Sequence, residues 1–264
     1  MKLYTRLREV IQPFSSVLVA YSGGIDSALV AKVAFDVLKE KAVALTALSP
    51  SFPSYQLEET KKVAAWIGIR HLLVQSNELD DPDYAANPTN RCYFCKSELY
   101  SLCEKKAAEW NIPVILNGFN KEDQGDWRPG FQAQKEYKVV SPLLEAGLGK
   151  EEVRKTAQAL GLPIWDKPAS PCLSSRFPYG TAIDAEKLEQ VDRVESFLYT
   201  QGFRIFRARF YGEEVRLDLG EKETGFIQDK NIYQKVNETC LEAGFKKMTI
   251  NPEGFRSGSL NTFL

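Results

Sequence analysis

The sequence predicts an α/β fold: a parallel sheet with helices on both faces, followed by a smaller α+β domain. Three observations carry this. Apolar runs of strand length alternate with amphipathic helical patterns through the first half of the chain, as βαβ units require. A proline-rich stretch at 167–180 then interrupts regular structure. Beyond it, a helical stripe leads into two segments of alternating apolar and polar residues.

The elements follow in order. Val17-Leu18-Val19-Ala20-Tyr21 is a buried-strand run, followed by a Gly-rich turn and an Ala/Val/Leu-rich helix to about Lys39. Ala42 to Leu48 is the second strand, and Ser54 is placed to cap a helix running to Trp66. His71-Leu72-Leu73-Val74 is the third strand, Lys96 to Trp110 a helix, and Val114-Ile115-Leu116 the fourth strand. Residues 120–140 read as an irregular, polar, glycine-bearing loop of the kind that carries function. A helix from Gly149 to Leu160 ends at Gly161 and Pro163. The loop from Lys167 to Gly180 closes the first domain, 1–180, and leaves 181–264 as the second.

In that second domain Leu188, Val191, Val194 and Leu198 form one helical stripe. Phe206, Ala208 and Phe210 alternate with Arg207 and Arg209; Val215, Leu217 and Leu219 alternate with Glu214, Arg216 and Asp218. With Tyr211-Gly212-Glu213 as the turn, this predicts a half-buried hairpin with Arg207, Arg209, Arg216 and Asp218 on its polar face. Glu195 flanks the helical stripe and is placed to meet that hairpin.

The 264 residues are 44% hydrophobic and 26% charged, with a formal net charge of −1 and a pI near 6.1. A packed core is expected, and a broad nucleic-acid or anionic-membrane surface is not. No apolar run approaches the ~18 residues of a membrane span. The N-terminus lacks a signal-peptide core, so a cytoplasmic protein is expected. Five cysteines without an export signal point away from structural disulfides.

Ser22-Gly23-Gly24-Ile25-Asp26-Ser27 lies between the first strand and the first helix. Glycines permit a sharp turn and close backbone approach. The N–H groups at the helix start then face an anion with the helix dipole behind them. Ser22 and Ser27 add hydroxyls. A carboxylate at Asp26 repels phosphate unless Mg²⁺ bridges the two, which points to nucleotide pyrophosphate chemistry. No Gly-Lys-Ser/Thr follows, so this is not a Walker loop.

Cys92 and Cys95 form a Cys-x-x-Cys at a helix start, and Cys172 stands in the proline-bounded loop. Three thiolates can hold three irons of a [4Fe–4S] cluster and leave the fourth iron open. Zinc needs a fourth protein ligand, and the one histidine, His71, reads as a strand residue. Redox or persulfide-carrying thiols and inert thiols are the other readings. Cys103 and Cys240 fall within helical patterns and read as core residues.

The phosphate loop resembles that of the PP-loop ATP pyrophosphatases. Asp126-Trp127-Arg128-Pro129-Gly130, Ser174-Ser175-Arg176-Phe177-Pro178-Tyr179-Gly180, Arg207-x-Arg209 and Gly254-Phe255-Arg256-Ser257-Gly258 extend the resemblance to one family within them, LarE. These are ATP-dependent sulfur transferases of nickel-pincer nucleotide cofactor synthesis. The resemblance implies a PP-loop fold of the adenine nucleotide α-hydrolase type, ATP and Mg²⁺. It implies adenylation of a carboxylate of pyridinium-3,5-biscarboxylic acid mononucleotide, then replacement of AMP by sulfur. Some members give up the sulfur of a single cysteine. This chain has the pattern of the members that carry three, which implies a [4Fe–4S] cluster on Cys92, Cys95 and Cys172.

Cys92, Cys95, Cys172, Asp26 and Arg176 are then the expected catalytic residues. Ser22, Gly23, Gly24, Asp26, Ser27, Asp126 and Arg128 are expected at ATP. Ser175, Arg207, Arg209, Arg256 and Glu195 are expected at substrate, although each arginine alone also reads as a solvated surface charge. The three cysteines are expected to converge beside the adenylate. The implied partners are a sulfur donor, the lactate racemase maturation proteins and further copies of the chain. A PP-loop tRNA thiolase and an ammonia-using synthetase of the NAD synthetase type share the loop and stand as alternatives. So does a nucleotide-binding module without turnover.

Overall fold

The apolar runs of the first half form one parallel sheet: β1 (Val17–Ala20), β2 (Ala42–Leu48), β3 (Arg70–Gln75) and β4 (Val114–Leu116), ordered β3-β2-β1-β4. The computed structural model describes residues 2–124 and 130–256. Through residue 159 the helices are α1 (Lys2–Ile11), α2 (Ile25–Leu38), α3 (Ser54–Ile67), α4 (Pro82–Ala85), α5 (Arg91–Glu109), α6 (Gly130–Glu136), α7 (Pro142–Glu145) and α8 (Lys150–Ala159). Among the described residues no helix is long and apolar enough to cross a membrane.

Alternation along the strands builds two cores. Val17 and Val19 of β1 and Ala42 and Ala44 of β2 pack with Leu29 and Val33 of α2. Leu18, Ala20, Val43 and Leu45 face the other way, toward Tyr100 and Cys103 of α5. Both faces of the parallel sheet are therefore covered, as such sheets require. The chain leaves β1 toward β2 on one side, while β4 enters on the other. The sheet therefore reverses its winding between β1 and β4, at the carboxyl ends of the strands, where open α/β sheets bind ligands.

Contacts divide the chain into two compact units. One comprises Met1–Ser49, Gln56–Glu78 and Asn90–Ala169; the other comprises Pro50–Tyr55, Leu79–Thr89 and Ser170–Leu264. This division differs from the expected boundary after residue 180: the loop bearing Cys172 and Arg176 belongs with the second unit, as do two short segments from the first half.

The second unit adds α9 (Ala185–Thr200), β5 (Phe206–Tyr211), β6 (Glu214–Leu219), α10 (Glu221–Phe226), α11 (Lys230–Glu242) and β7 (Lys247–Ile250). β5 and β6 form the expected antiparallel hairpin, turning at Gly212 with φ +67°, and β7 adds parallel to β6. Leu188, Val191, Val194 and Leu198 pack on Phe206, Ala208, Phe210, Val215, Leu217 and Leu219.

Three local expectations are corrected. Residues 120–140 are not irregular throughout, because α6 lies within them; Gly130 lets it approach α5, since a Cβ there would lie 2.8 Å from Lys96 Cγ. Ser54 is the first residue of α3, and its N–H donates to Asp192 Oδ1 at 3.0 Å. The polar face of the hairpin is more buried than a half-buried hairpin implies: Arg207, Arg209 and Asp218 are buried, and Arg216 alone of the four is partly exposed.

Candidate functional site

The phosphate loop opens directly from β1 into α2. Gly23 takes φ +73°, which an L side chain rarely adopts, and a Cβ there would lie 2.0 Å from Thr60 Oγ1. Gly24 is the N-cap of α2 and has no side-chain cap. Ser27 Oγ organises the turn: it accepts from the Ser22 amide at 3.2 Å, donates to the Gly24 carbonyl at 3.1 Å and lies 3.1 Å from Ser22 Oγ.

The loop after β4 meets this turn at the winding reversal. Asn120 Nδ2 donates to Asp26 Oδ1 at 3.1 Å, and the Asn120 amide donates to Asp123 Oδ2 at 3.0 Å. Gly118 permits the approach, because a Cβ there would lie 2.6 Å from the Ser27 amide nitrogen. Burial raises the Asp26 carboxyl above its ordinary range; the Asn120 amide opposes this and the neighbouring Asp123 charge adds to it. A half-buried carboxylate beside a second, buried one favours a cation. Lys167 completes the wall: it is ion-paired with Glu59, and its Nζ donates to the Gly23 carbonyl at 3.4 Å. Asn120, Asp123 and Lys167 escaped the sequence reading. Asn117-Gly118 directly after a buried strand was the available signal.

Cys92 and Cys95 lie in the first turns of α5, one helical turn apart and hence on one face. Cys92 is exposed; Cys95 and Cys172 are partly so. Cys172 belongs to the second unit and directly precedes a 3₁₀ turn, Leu173–Arg176. Among the described residues no three His, Cys, Asp or Glu side chains are gathered as a metal would need. Cys103 and Cys240 are core thiols, as expected, and burial pushes both up to about 12. His71 is a strand residue 2.8 Å from Thr46 Oγ1.

The arginines expected at substrate prove to be largely an interior network. Arg176 and Glu195 are both fully buried and form a two-pronged pair, Nε to Oε1 at 2.8 Å and Nη2 to Oε2 at 2.6 Å. Glu195 is thus neither a surface carboxylate nor open to solvent; its Oε1 also accepts from the Ala208 amide at 2.9 Å. Arg176, expected to meet an anionic ligand, gives its charge to Glu195. Arg209 donates to Asp218 and to the Ser175 carbonyl. The Arg207 guanidinium lies over the Phe255 ring, 5.0 Å from its centre. Burial, then the like charge of Arg176, pulls Arg207 down to about 10, against the pull of Glu195. Arg256 is exposed and pairs with Glu253. Asp126 and Arg128 lie outside the described residues.

A glycine-forced strand–loop–helix turn, placed where a parallel sheet reverses its winding and lined by Asp26 and Lys167, defines an α/β protein of the PP-loop class. The NAD synthase family profile matches residues 2–86, which include β1 and the phosphate loop. Three relatives match nearly end to end. An uncharacterised protein of Synechocystis is 48% identical over 98% of this chain and 96% of its own. The pyridinium-3,5-bisthiocarboxylic acid mononucleotide synthase of Lactiplantibacillus plantarum is 36% identical over 96% of this chain and 92% of its own. An uncharacterised protein of Methanocaldococcus jannaschii is 25% identical over 97% of each. The chain belongs to the LarE family of PP-loop ATP-dependent sulfur transferases.

Proposed function

We propose that this enzyme uses ATP to adenylate a carboxylate of pyridinium-3,5-biscarboxylic acid mononucleotide and converts it to a thiocarboxylate. The setting of Asp26 carries this reading: a half-buried carboxylate, held by Asn120 beside Asp123, at the mouth of a loop built for phosphate. Mg²⁺ on Asp26 fits this donor set and would tie ATP to Ser22, Gly23, Gly24 and Ser27. Asp126 and Arg128 belong to the same nucleotide site. The substrate carboxylate attacks the α-phosphorus, pyrophosphate leaves, and the acyl adenylate then loses AMP to sulfur. The exposed Arg256 binds the anionic substrate, and Ser175 with the buried Arg207, Arg209 and Glu195 shapes the substrate's surroundings.

Cys92, Cys95 and Cys172 are proposed to hold a [4Fe–4S] cluster. The accessible i, i+3 pair of Cys92 and Cys95 supports this reading, with Cys172 as the third ligand it calls for. When bound, the cluster would supply sulfide at its open iron. The immediate sulfur donor, the lactate racemase maturation proteins and further copies of the chain are the proposed partners, in the cytoplasm. The tRNA thiolase and NAD synthetase readings are not favoured, because a full-length relative is named for the bisthiocarboxylic acid mononucleotide whereas the NAD synthase match ends at residue 86. The test is pyrophosphate release with the dicarboxylate mononucleotide, tRNA and deamido-NAD in parallel, together with the iron and sulfide content of anaerobically purified protein. Release with tRNA or deamido-NAD alone refutes the assignment.

A further inference from the structure

We propose that Arg176 is a positioning residue that fixes the Cys172 thiol at one point, so that the reacting group is brought to the sulfur and not the reverse. This rests on the reading of Cys172 as a sulfur-handling thiol. A loop with Pro168, Pro171 and several small residues looks from its composition like a swinging arm. The hydrogen bonds show a cradle.

Successive residues are tethered. Ser170 Oγ lies 3.4 Å from the Tyr55 hydroxyl. The carbonyls of Pro171 and Cys172 both accept from Arg176 Nη1, at 2.8 and 3.1 Å. The Leu173 amide donates to the Ser51 carbonyl at 2.8 Å. Ser174 Oγ lies 2.6 Å from the Tyr84 hydroxyl. Ser175 donates to the Cys172 carbonyl through its amide at 3.0 Å and its hydroxyl at 2.8 Å. The Ser175 carbonyl accepts from Arg209 at 2.8 Å.

Arg176 is the hub of this arrangement. One face of its guanidinium is locked by Glu195 and the other holds the loop carbonyls. Glu195 is itself held by the Ala208 amide and by the Tyr55 hydroxyl at 3.3 Å. A planar fork does this; a lysine keeps the charge but cannot span both sides.

The test is made on the full-length protein. Alkylation of Cys172 by iodoacetamide is followed by peptide mass spectrometry, with Cys92 in the same molecules as reference. In wild type, the Leu173 and Ser175 amides should exchange hydrogen slowly. Arg176→Lys should speed that exchange and change the Cys172-to-Cys92 alkylation ratio severalfold. Sulfur transfer should fall on the order of 100-fold, the cost of a small misplacement at the reacting centre. Fast exchange at Leu173 and Ser175 in wild type overturns the proposal without any variant. So does an unchanged alkylation ratio in folded Arg176→Lys protein, or a raised substrate KM with that ratio unchanged. If wild type transfers no sulfur while exchange and alkylation behave as expected, the sulfur reading of Cys172 fails and the positioning role stands.

Discussion

Gly23→Ala tests how the phosphate loop is built. An L side chain at φ +73° enters the left-handed region, at a cost of about 1–2 kcal/mol. The new Cβ would also lie 2.0 Å from Thr60 Oγ1 and 2.9 Å from Thr60 Cβ. Thr60 is fully buried and donates to the Gln56 carbonyl at 2.8 Å, so it has no empty space to retreat into. Moving it forfeits a hydrogen bond of about 1 kcal/mol and adds overpacking of about 1–3 kcal/mol. The sum, about 3–6 kcal/mol, is a large share of the ~5–15 kcal/mol that holds a folded protein together. Urea unfolding followed by circular dichroism reads it. Thr60→Ala removes the closest atom, so in the Gly23→Ala background it should restore part of the loss, with a coupling of at least about 1 kcal/mol. Wild-type stability in Gly23→Ala, or strict additivity in the double variant, refutes the reasoning.

Asp26→Asn should abolish most pyrophosphate release while stabilising the ligand-free protein at neutral pH, because a carboxyl with a raised folded pKa costs the fold stability as pH rises through that pKa. For the same reason, wild-type pyrophosphate release should fall with acid at a pH above the ordinary aspartate range; a profile flat through that range counts against the site. Arg207→Ala and Arg209→Ala should reduce sulfur transfer far more than Arg193→Ala, whose side chain is exposed and paired with Glu189; Arg209→Ala should also destabilise, because it leaves the buried Asp218 charge with only the longer Arg216 pair and Asn251 among the described residues. Replacing any of Cys92, Cys95 or Cys172 with alanine should remove iron and sulfur transfer yet spare pyrophosphate release, and iron retained in all three variants would end the cluster assignment.

The parallel sheet was legible because its inner strands are continuous apolar runs, and Val17 to Ala20, buried throughout, announces itself without any neighbour. The phosphate loop was legible because Gly-Gly before a helix has few other uses. Two things were hidden. α6 is short and carries Gln, Lys and Glu on its outer face, so the burial of Ala133 and Gln134 leaves no periodic trace. The interior placement of Arg176, Glu195, Arg207 and Arg209 was hidden more deeply, because charge patterns say solvent unless the partner is known. Each of these groups is buried only because another, distant in sequence, answers its charge or shares its hydrogen bonds. Arg207 and Arg209 were correctly placed on one strand face, yet a period-2 pattern cannot say what covers that face.

The interleaving of the two units has a consequence for synthesis. Residues 50–55 and 79–89 leave the ribosome long before 170–264, yet their side chains belong to the later unit: Tyr55 stacks on Tyr199 and meets Phe206, Tyr84 bonds Ser174, and Leu79 packs on the same core. A nascent chain that has finished its parallel sheet therefore still carries apolar side chains awaiting a partner. The C-terminal unit can close only once residues 170–264 have been made. Its first half is not a separable module, and a fragment ending at residue 169 should be sticky in proportion to those waiting aromatics. Genetic fusions and truncations of such an enzyme are better placed at its ends than at the proline-rich stretch that looks, in the sequence, like an invitation to cut.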